Sequence, residues 1–234
     1  MTNVFIRKQL QALNPKKAVG LDELSSLFLR DGASVIVGPV QHIINISILT
    51  EAVPSCFKQA RVLPLFKKGS KLDPGNYRPV SILNVLSKVL ERAVHARLSE
   101  YLSKRDLLFG NQSGFRSSFS TDTCLIGLSD FVRSEMGSGR LVGLVMLDLR
   151  KAFDTVDHGI LLEKLGAMGV SCLPWFRSYL SGRSQCVEVD GVRSESPVGY
   201  PRDPSWAPFC FSYTLTTCIE VSPVAYPYMR MTQL

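Results

Sequence analysis

Leu141-Val-Gly-Leu-Val-Met-Leu-Asp148-Leu-Arg-Lys-Ala-Phe153-Asp-Thr-Val-Asp-His158 is the stretch whose reading decides the fold. Its first seven residues are a continuous apolar run of strand length, which predicts a strand buried on both faces. The run stops on a carboxylate, Asp148. Beyond it, Ala152, Phe153 and Val156 fall at helical spacing and lead into Leu161, Leu162 and Leu165. An acid therefore stands where a buried strand hands over to a helix, a common place for reactive groups in α/β architecture. A carboxylate is costly to bury there unless a metal or a cation pairs with it. Geometry alone leaves two readings open, a metal-binding acid or an Asp that caps the next helix.

Composition bounds the class. A chain of 234 residues, 45% hydrophobic and 20% charged, can bury a substantial core as one or two domains. It carries 27 Lys plus Arg against 20 Asp plus Glu, a net +7. The excess is local: between Lys58 and Arg116, twelve Lys or Arg face four acids, which more than accounts for the imbalance. Interspersed aromatics (Phe66, Tyr77, Tyr101, Phe109, Phe115) suit a phosphate-backbone partner, with a solvated basic face as the alternative. Six cysteines lie far apart with no C-x-x-C pair, so neither a zinc site nor a disulfide framework is indicated and a reducing compartment is expected. His42, His95 and His158 are equally scattered. There is no basic-then-apolar leader, and no apolar run nears the ~18 residues of a membrane span, so a soluble intracellular chain without membrane contact is expected.

Upstream of the opening stretch, residues 1–57 read as mixed helix and loop. Asn14 to Asp22 (Asn-Pro-Lys-Lys-Ala-Val-Gly-Leu-Asp) is a basic turn segment broken by Pro15 and Gly20. A helix is expected from about Glu23 to Leu29, and a strongly apolar core helix from Gly38 to Leu49. Arg61 to Phe66 alternates enough for a short strand, and Lys67-Lys68-Gly69 opens a turn reaching Pro74-Gly75. In Asn76-Tyr-Arg-Pro-Val-Ser-Ile-Leu83, Pro79 forces Arg78 into extended backbone. An Arg held that way beside a basic turn suits bidentate phosphate binding; pairing with a nearby acid is its other use. Ile82 to Leu102 has the period of a long amphipathic helix with Lys88, Arg92, His95 and Arg97 on its polar face. Gly110 to Arg116 reads as a loop, followed by a Ser/Thr-rich approach to a helix from about Thr121 to Met136. Downstream, a short helix is expected from Pro174 to Leu180. Gln185 to Val189 alternates as a strand, and Asp190-Gly191 signals a hairpin with a return over Val192 to Val198.

The stretch Leu147 to His158 resembles the first catalytic motif of reverse transcriptases, more narrowly those of LINE-type (non-LTR) retrotransposons. The resemblance implies that Asp148 binds two Mg²⁺ ions with help from the backbone carbonyl of Leu149, and that Phe153 is the gate telling deoxyribose from ribose. Tyr77-Arg-Pro-Val-Ser81 resembles a fingers motif of the same family, which implies Arg78, helped by Lys67 or Lys68, on the incoming triphosphate or template. Gln112-Ser-Gly-Phe-Arg-Ser-Ser-Phe-Ser-Thr121 resembles the second fingers motif. It implies that Gly114 lets backbone approach a nucleic-acid strand and that Arg116 contacts phosphate. Lys16, Lys17 and the Gly20-Leu-Asp22 after them resemble the N-terminal fingers extension, which contacts template. Trp175-Phe-x-Ser-Tyr-Leu-x-Gly-Arg183 with its hairpin also resembles LINE-type enzymes. The fold so implied is α+β, the fingers and partial palm of a right-hand polymerase, with a small antiparallel sheet flanked by helices. Its divisions would be an N-terminal fingers extension (1–57), fingers (58–140) and a partial palm (141–199). The implied reaction is attack of a DNA primer's 3′-hydroxyl on the α-phosphorus of a dNTP, templated by RNA, and the resemblance implies an intracellular location in cytoplasm and nucleus.

The resemblance stops near Gly199. The family continues with Pro-Gln-Gly-Ser, an apolar helix ending Tyr-Val-Asn-Asp, and then Tyr-Ala-Asp-Asp. This chain instead has residues 200–234 with five prolines, no lysine and only two acids, Asp203 and Glu220, so nothing in them can match Asp-Asp. Plausible codons for this tail, read two nucleotides on, recover Pro-Gln-Gly-Ser-Ile-Leu-Gly-Pro, then Tyr-Val-Asn-Asp, then Tyr-Ala-Asp-Asp, in order and at one offset. The tail therefore reads as a frameshifted translation that should pack poorly. Three functional readings stand together: a reverse transcriptase fragment inactive as written, a non-catalytic nucleic-acid-binding remnant, and an unstable pseudogene product.

Overall fold

The computed structural model describes residues 1–108, 110, 112–116, 118–146, 156–189, 191–194 and 198–199. Helices α1 (Asn3–Gln11), α2 (Ser26–Asp31) and α3 (Ala33–Leu49) come first, followed by a single 3-10 turn and strand β1 (Gln59–Phe66). Strand β2 (Tyr77–Leu83) returns against β1 and leads directly into the long helix α4 (Val85–Lys104). Then come α5 (Thr121–Gly137), α6 (His158–Ala167), α7 (Leu173–Leu180), β3 (Ser184–Val189), β4 (Val192–Arg193) and β5 (Val198–Gly199).

The α+β expectation holds, but the sheet is mixed rather than wholly antiparallel. β1 pairs antiparallel with β2, from Ala60 opposite Leu83 to Phe66 opposite Tyr77. β3 lies parallel to β1 on its other side, with Arg61 opposite Cys186. A parallel neighbour requires a crossover, and here α4 to α7 intervene between the two strands. The hairpin after β3 is a local signal and was legible; the long-range parallel pairing is not encoded in any short window.

One apolar cluster unites α1, α3, α4, α6 and α7. Its keystone is α7. Trp175, 2% exposed, stacks on Tyr179 at 5.5 Å between ring centroids, and its indole N–H donates to Ser47 Oγ at 3.1 Å. The Tyr179 hydroxyl donates to buried Glu91 on α4 at 2.8 Å. The two amphipathic rings thus fill apolar space and still satisfy their polar ends on α3 and α4.

Three helix starts differ from the sequence reading. α4 begins at Val85 rather than Ile82, because Ile82 and Leu83 are the last residues of β2, paired with Arg61 and Ala60. α3 begins at Ala33 and runs through Pro39, because Ala33, Val37, Val40 and Ile44 form one buried stripe that outweighs the Gly38-Pro39 break. α2 begins at Ser26, since Glu23 adopts a left-handed φ of 56° and Ser25 supplies the cap, accepting from Phe28 N at 3.1 Å.

The apolar run from Leu141 does not form the expected buried strand over its described residues. Residues 141–146 carry no regular structure, and Leu141, Leu144, Val145 and Met146 are 62–102% exposed rather than buried in a strand. A run apolar on both faces becomes a buried strand only where ladder partners and cover exist on both sides. Among the described residues, no strand of the sheet pairs with it. Of the helix expected over Ala152, Phe153 and Val156, the first two residues lie outside the described residues and Val156 is not helical; the described helix α6 begins at His158. Asp157 is its N-cap, accepting from Ile160 N at 2.9 Å.

Candidate nucleic-acid interface

The β1–β2 hairpin presents two different faces. Leu65 stands opposite Arg78 in the ladder, so the two share a face, together with Leu63, Val80 and Ile82. The ladder continues one step past β1, where Lys67 N donates to Asn76 O at 2.8 Å, which puts Lys67 on that same face. Arg78 and Lys67 are both exposed. The sequence-expected pair is therefore brought together by strand register, and among the described residues neither side chain forms an ion pair with an acid.

That face looks into a cleft of about 540 Å³ between the hairpin, α4 and the segment after α1. Leu63, Leu65, Val80 and Ile82 line the hairpin side, Lys88 and Arg92 the α4 side, and Leu13, Asn14 and Lys17 the third. The result is an apolar cleft carrying three cationic side chains. Lys88 and Arg92 were visible in the sequence only as part of a polar helix face. Their i,i+4 spacing on α4 is the signal that sets them side by side. Of the two N-terminal lysines, Lys17 lines the cleft, whereas Lys16 is exposed beside it, its N–H held by Asn14 Oδ1 at 2.9 Å.

The third wall is fixed by Gly20. A Cβ on Gly20 would lie 2.8 Å from the backbone N and Cα of Asn84, the residue that starts α4. Asn84 itself is tied down, its side-chain N–H donating to Cys56 O at 3.0 Å and its carbonyl accepting from Ser87 Oγ at 2.7 Å. Only glycine lets the basic segment seat this closely on the helix.

Along the same face, toward β3, charges are compensated. Glu188 accepts from Arg193 at 2.8 Å and from Arg61 at 3.3 Å. The Arg193 hydrogen bond, reinforced by the charge of Arg61, holds the Glu188 carboxyl below its usual range. This end of the face is a structural ion-pair row, whereas at the hairpin end Arg78 and Lys67 join no ion pair among the described residues.

Arg116 is engaged in its own loop. Its guanidinium donates to the carbonyls of Gly110 and Gln112 at 3.4 Å and lies 4.5 Å from the centroid of the Phe119 ring. Gly114 is exposed in that loop, its carbonyl accepting from Gln112 Nε2 at 2.9 Å. The Ser/Thr-rich approach to α5 ends in a capping box between Ser120 and Thr123.

Asp148, Leu149 and Phe153 lie outside the described residues, as does the tail 200–234. Among the described residues, no three His, Cys, Asp or Glu side chains converge as a metal site, and no helix is long and apolar enough to cross a membrane.

The sequence pattern of the family described as "Reverse transcriptase (RNA-dependent DNA polymerase)" matches residues 66–219, which runs past Gly199 into the tail. Among curated proteins, the chain is 28% identical over 220 residues to "Probable RNA-directed DNA polymerase from transposon BS" of Drosophila melanogaster, covering 88% of this chain and 23% of the relative. It is 28% identical to "RNA-directed DNA polymerase from mobile element jockey" of Drosophila funebris, covering 81% of this chain and 21% of the relative. It is also 30% identical to "Transposon TX1 uncharacterized 149 kDa protein" of Xenopus laevis, covering 84% and 15%. The chain thus spans a quarter or less of the length of these relatives.

Proposed function

We propose, on the premise that the chain belongs to the reverse transcriptase (RNA-dependent DNA polymerase) family and is that domain of a non-LTR retrotransposon, that as written it grips template RNA without polymerising. The observation that carries this reading is the apolar cleft with Lys17, Lys88 and Arg92 along it, continuing onto the hairpin face of Arg78 and Lys67. Separated basic motifs converging on one concave surface suit a single nucleic-acid strand, its phosphates on the cations and its bases against the apolar floor. In this reading residues 1–57 extend the fingers, 58–140 form them and 141–199 belong to the palm. In the same reading Lys16 and Arg116 also contact template, with Gly114 giving backbone access.

Nucleotidyl transfer in this family's manner calls for several carboxylates around paired Mg²⁺, with a dNTP and a DNA primer as further partners. Asp148, with the Leu149 carbonyl, is the one ligand the sequence offers, and Phe153 the one sugar gate. The tail's only acids are Asp203 and Glu220. The donor set does not fit a two-ion site, so polymerisation is not assigned to the chain as written. The frameshift reading accounts for the loss and is testable in the nucleotide sequence across codons 195 to 234.

The test is binding of single-stranded RNA as a function of salt. Affinity should fall linearly on logarithmic axes, and removing one of Lys17, Arg92 or Arg78 should flatten the slope by roughly one phosphate contact. A folded chain with no salt-dependent RNA binding, or slopes unchanged in all three variants, would refute the assignment.

A further inference from the structure

The hairpin's opposite face carries a feature that the template cleft does not use. Phe66 and Tyr77, opposite each other at the end of the ladder, meet edge-to-face with centroids 5.5 Å apart at 62°. Phe66 remains 42% exposed, although a large apolar ring at a strand end ordinarily gains from cover. Lys71 Nζ lies 5.9 Å from the Phe66 ring centroid.

The turn that carries them is built to hold shape. Tyr77 Oη donates to Lys71 O at 2.9 Å, Asn76 Nδ2 donates to Ser70 O at 2.9 Å, and Asp73 Oδ1 accepts from Gly75 N at 2.8 Å. Gly69 sits at φ 94°, and a Cβ there would come within 2.7 Å of the Asn76 side chain. The Tyr77 hydroxyl is thus taken up in bracing the turn, while its ring props Phe66. An exposed ring held rigidly costs little further ordering when a flat partner lands on it.

We propose that Phe66 is a stacking platform for an unpaired base of single-stranded RNA, with Lys71 receiving the adjoining phosphate. Charge selects this occupant: the turn from Lys67 to Arg78 holds Lys67, Lys68, Lys71 and Arg78 against the single acid Asp73. A ring flanked by cations meets both demands of a nucleotide, the base and its phosphate. On binding, the Lys71 ammonium leaves the ring face that the base takes and pairs with the phosphate. The platform lies on the face opposite Arg78 and Lys67, so the strand passes over the hairpin tip and does not stay within the cleft.

This proposal rests on the RNA-binding reading but fails separately from it. The 234-residue chain is titrated with oligouridine and with an abasic deoxyribose-phosphate oligomer of equal length. Phe66→Ala should weaken oligouridine binding by roughly fivefold or more, the scale of losing one base–aromatic stack, and leave abasic binding unchanged. Lys71→Ala should weaken both. Phe66→Trp should keep affinity and show indole fluorescence quenched by oligouridine but not by the abasic oligomer, which covers the case where the Ala variant misfolds. Equal losses on the two oligomers, or no quenching of the Trp variant, would overturn the platform. Failure of the unaltered chain to bind either oligomer would overturn the RNA-binding reading itself.

Discussion

Gly20→Ala is a one-carbon change whose consequence can be worked from the structure. The added Cβ would lie 2.8 Å from two backbone atoms of Asn84. Favourable carbon contacts lie at ~3.5–4.0 Å, so the overlap is roughly 0.7 Å or more. Asn84 cannot yield easily, since it opens α4 and is anchored to Cys56 and Ser87. The basic segment must therefore lift away, at an overpacking cost of about 1–3 kcal/mol. With a urea dependence of ~1–3 kcal/mol per molar for a small domain, the unfolding midpoint should fall by about 1 M. Lys17, three residues from Gly20, moves with the segment, so RNA affinity should fall as well. Gly127→Ala is the control. Gly127 sits inside the exposed helix α5 with nothing within 4 Å of its added Cβ, so the same change should stabilise by about 0.5–1 kcal/mol. Urea denaturation followed by circular dichroism reads both. A Gly20→Ala chain that unfolds at the unaltered midpoint would refute the close approach and the cleft wall built on it.

Other expectations follow from particular side chains. Tyr179→Phe removes the hydroxyl that donates to buried Glu91 at 2.8 Å, and should cost about 1.5–3 kcal/mol of stability, the scale of a hydrogen bond to a charged group; an unchanged denaturation midpoint would show that the bond contributes nothing. Burial holds half-buried His158 below the usual imidazole value, an effect that neighbouring Arg183 adds to and Asp157 opposes. The unfolded chain then binds more protons between the lowered folded value and ~6.5, so stability should fall as pH drops below ~6.5. Replacing His158 by Asn should flatten that part of a pH–stability curve, and an identical curve would rule the residue out. Arg78→Ala should weaken RNA binding and reduce its salt slope by roughly one contact with no change in the urea midpoint, because the side chain is exposed.

Local signals carried much of this fold. The period of Ile82 to Leu102, the Pro79 constraint on Arg78, the turn residues from Lys67 to Gly75 and the hairpin signal after Val189 each act within a few residues. The helix, the extended Arg78 and the hairpin pairing of Val189 with Val192 are present, although the helical period overlaps the last two residues of β2 and the return strand is described only over Val192–Arg193. What escaped depends on distance. The parallel seat of β3 beside β1 joins Arg61 to Cys186 across the helices between them. The apolar run at 141–146 had strand composition but lacks ladder partners among the described residues, and composition cannot supply them. The cap of α6 is itself a local signal, Asp157 followed by the apolar residues from Ile160. In the candidate site, Arg78 and Lys67 were legible because strand register is local. Lys88 and Arg92 became site residues only when the hairpin, α4 and the Asn14–Ala18 segment closed around one cleft.

Primer extension by the 234-residue chain on an RNA template, with Mg²⁺ and dNTPs present, tests the central claim most directly. The sequence offers Asp148 but no later Asp-Asp pair, and paired-metal transfer requires several carboxylates. The predicted result is RNA binding with no detectable extension, and the appearance of extension once the reading frame is restored near codon 200 and the downstream thumb is added. Extension by the unaltered chain that Asp148→Asn abolishes would contradict the account.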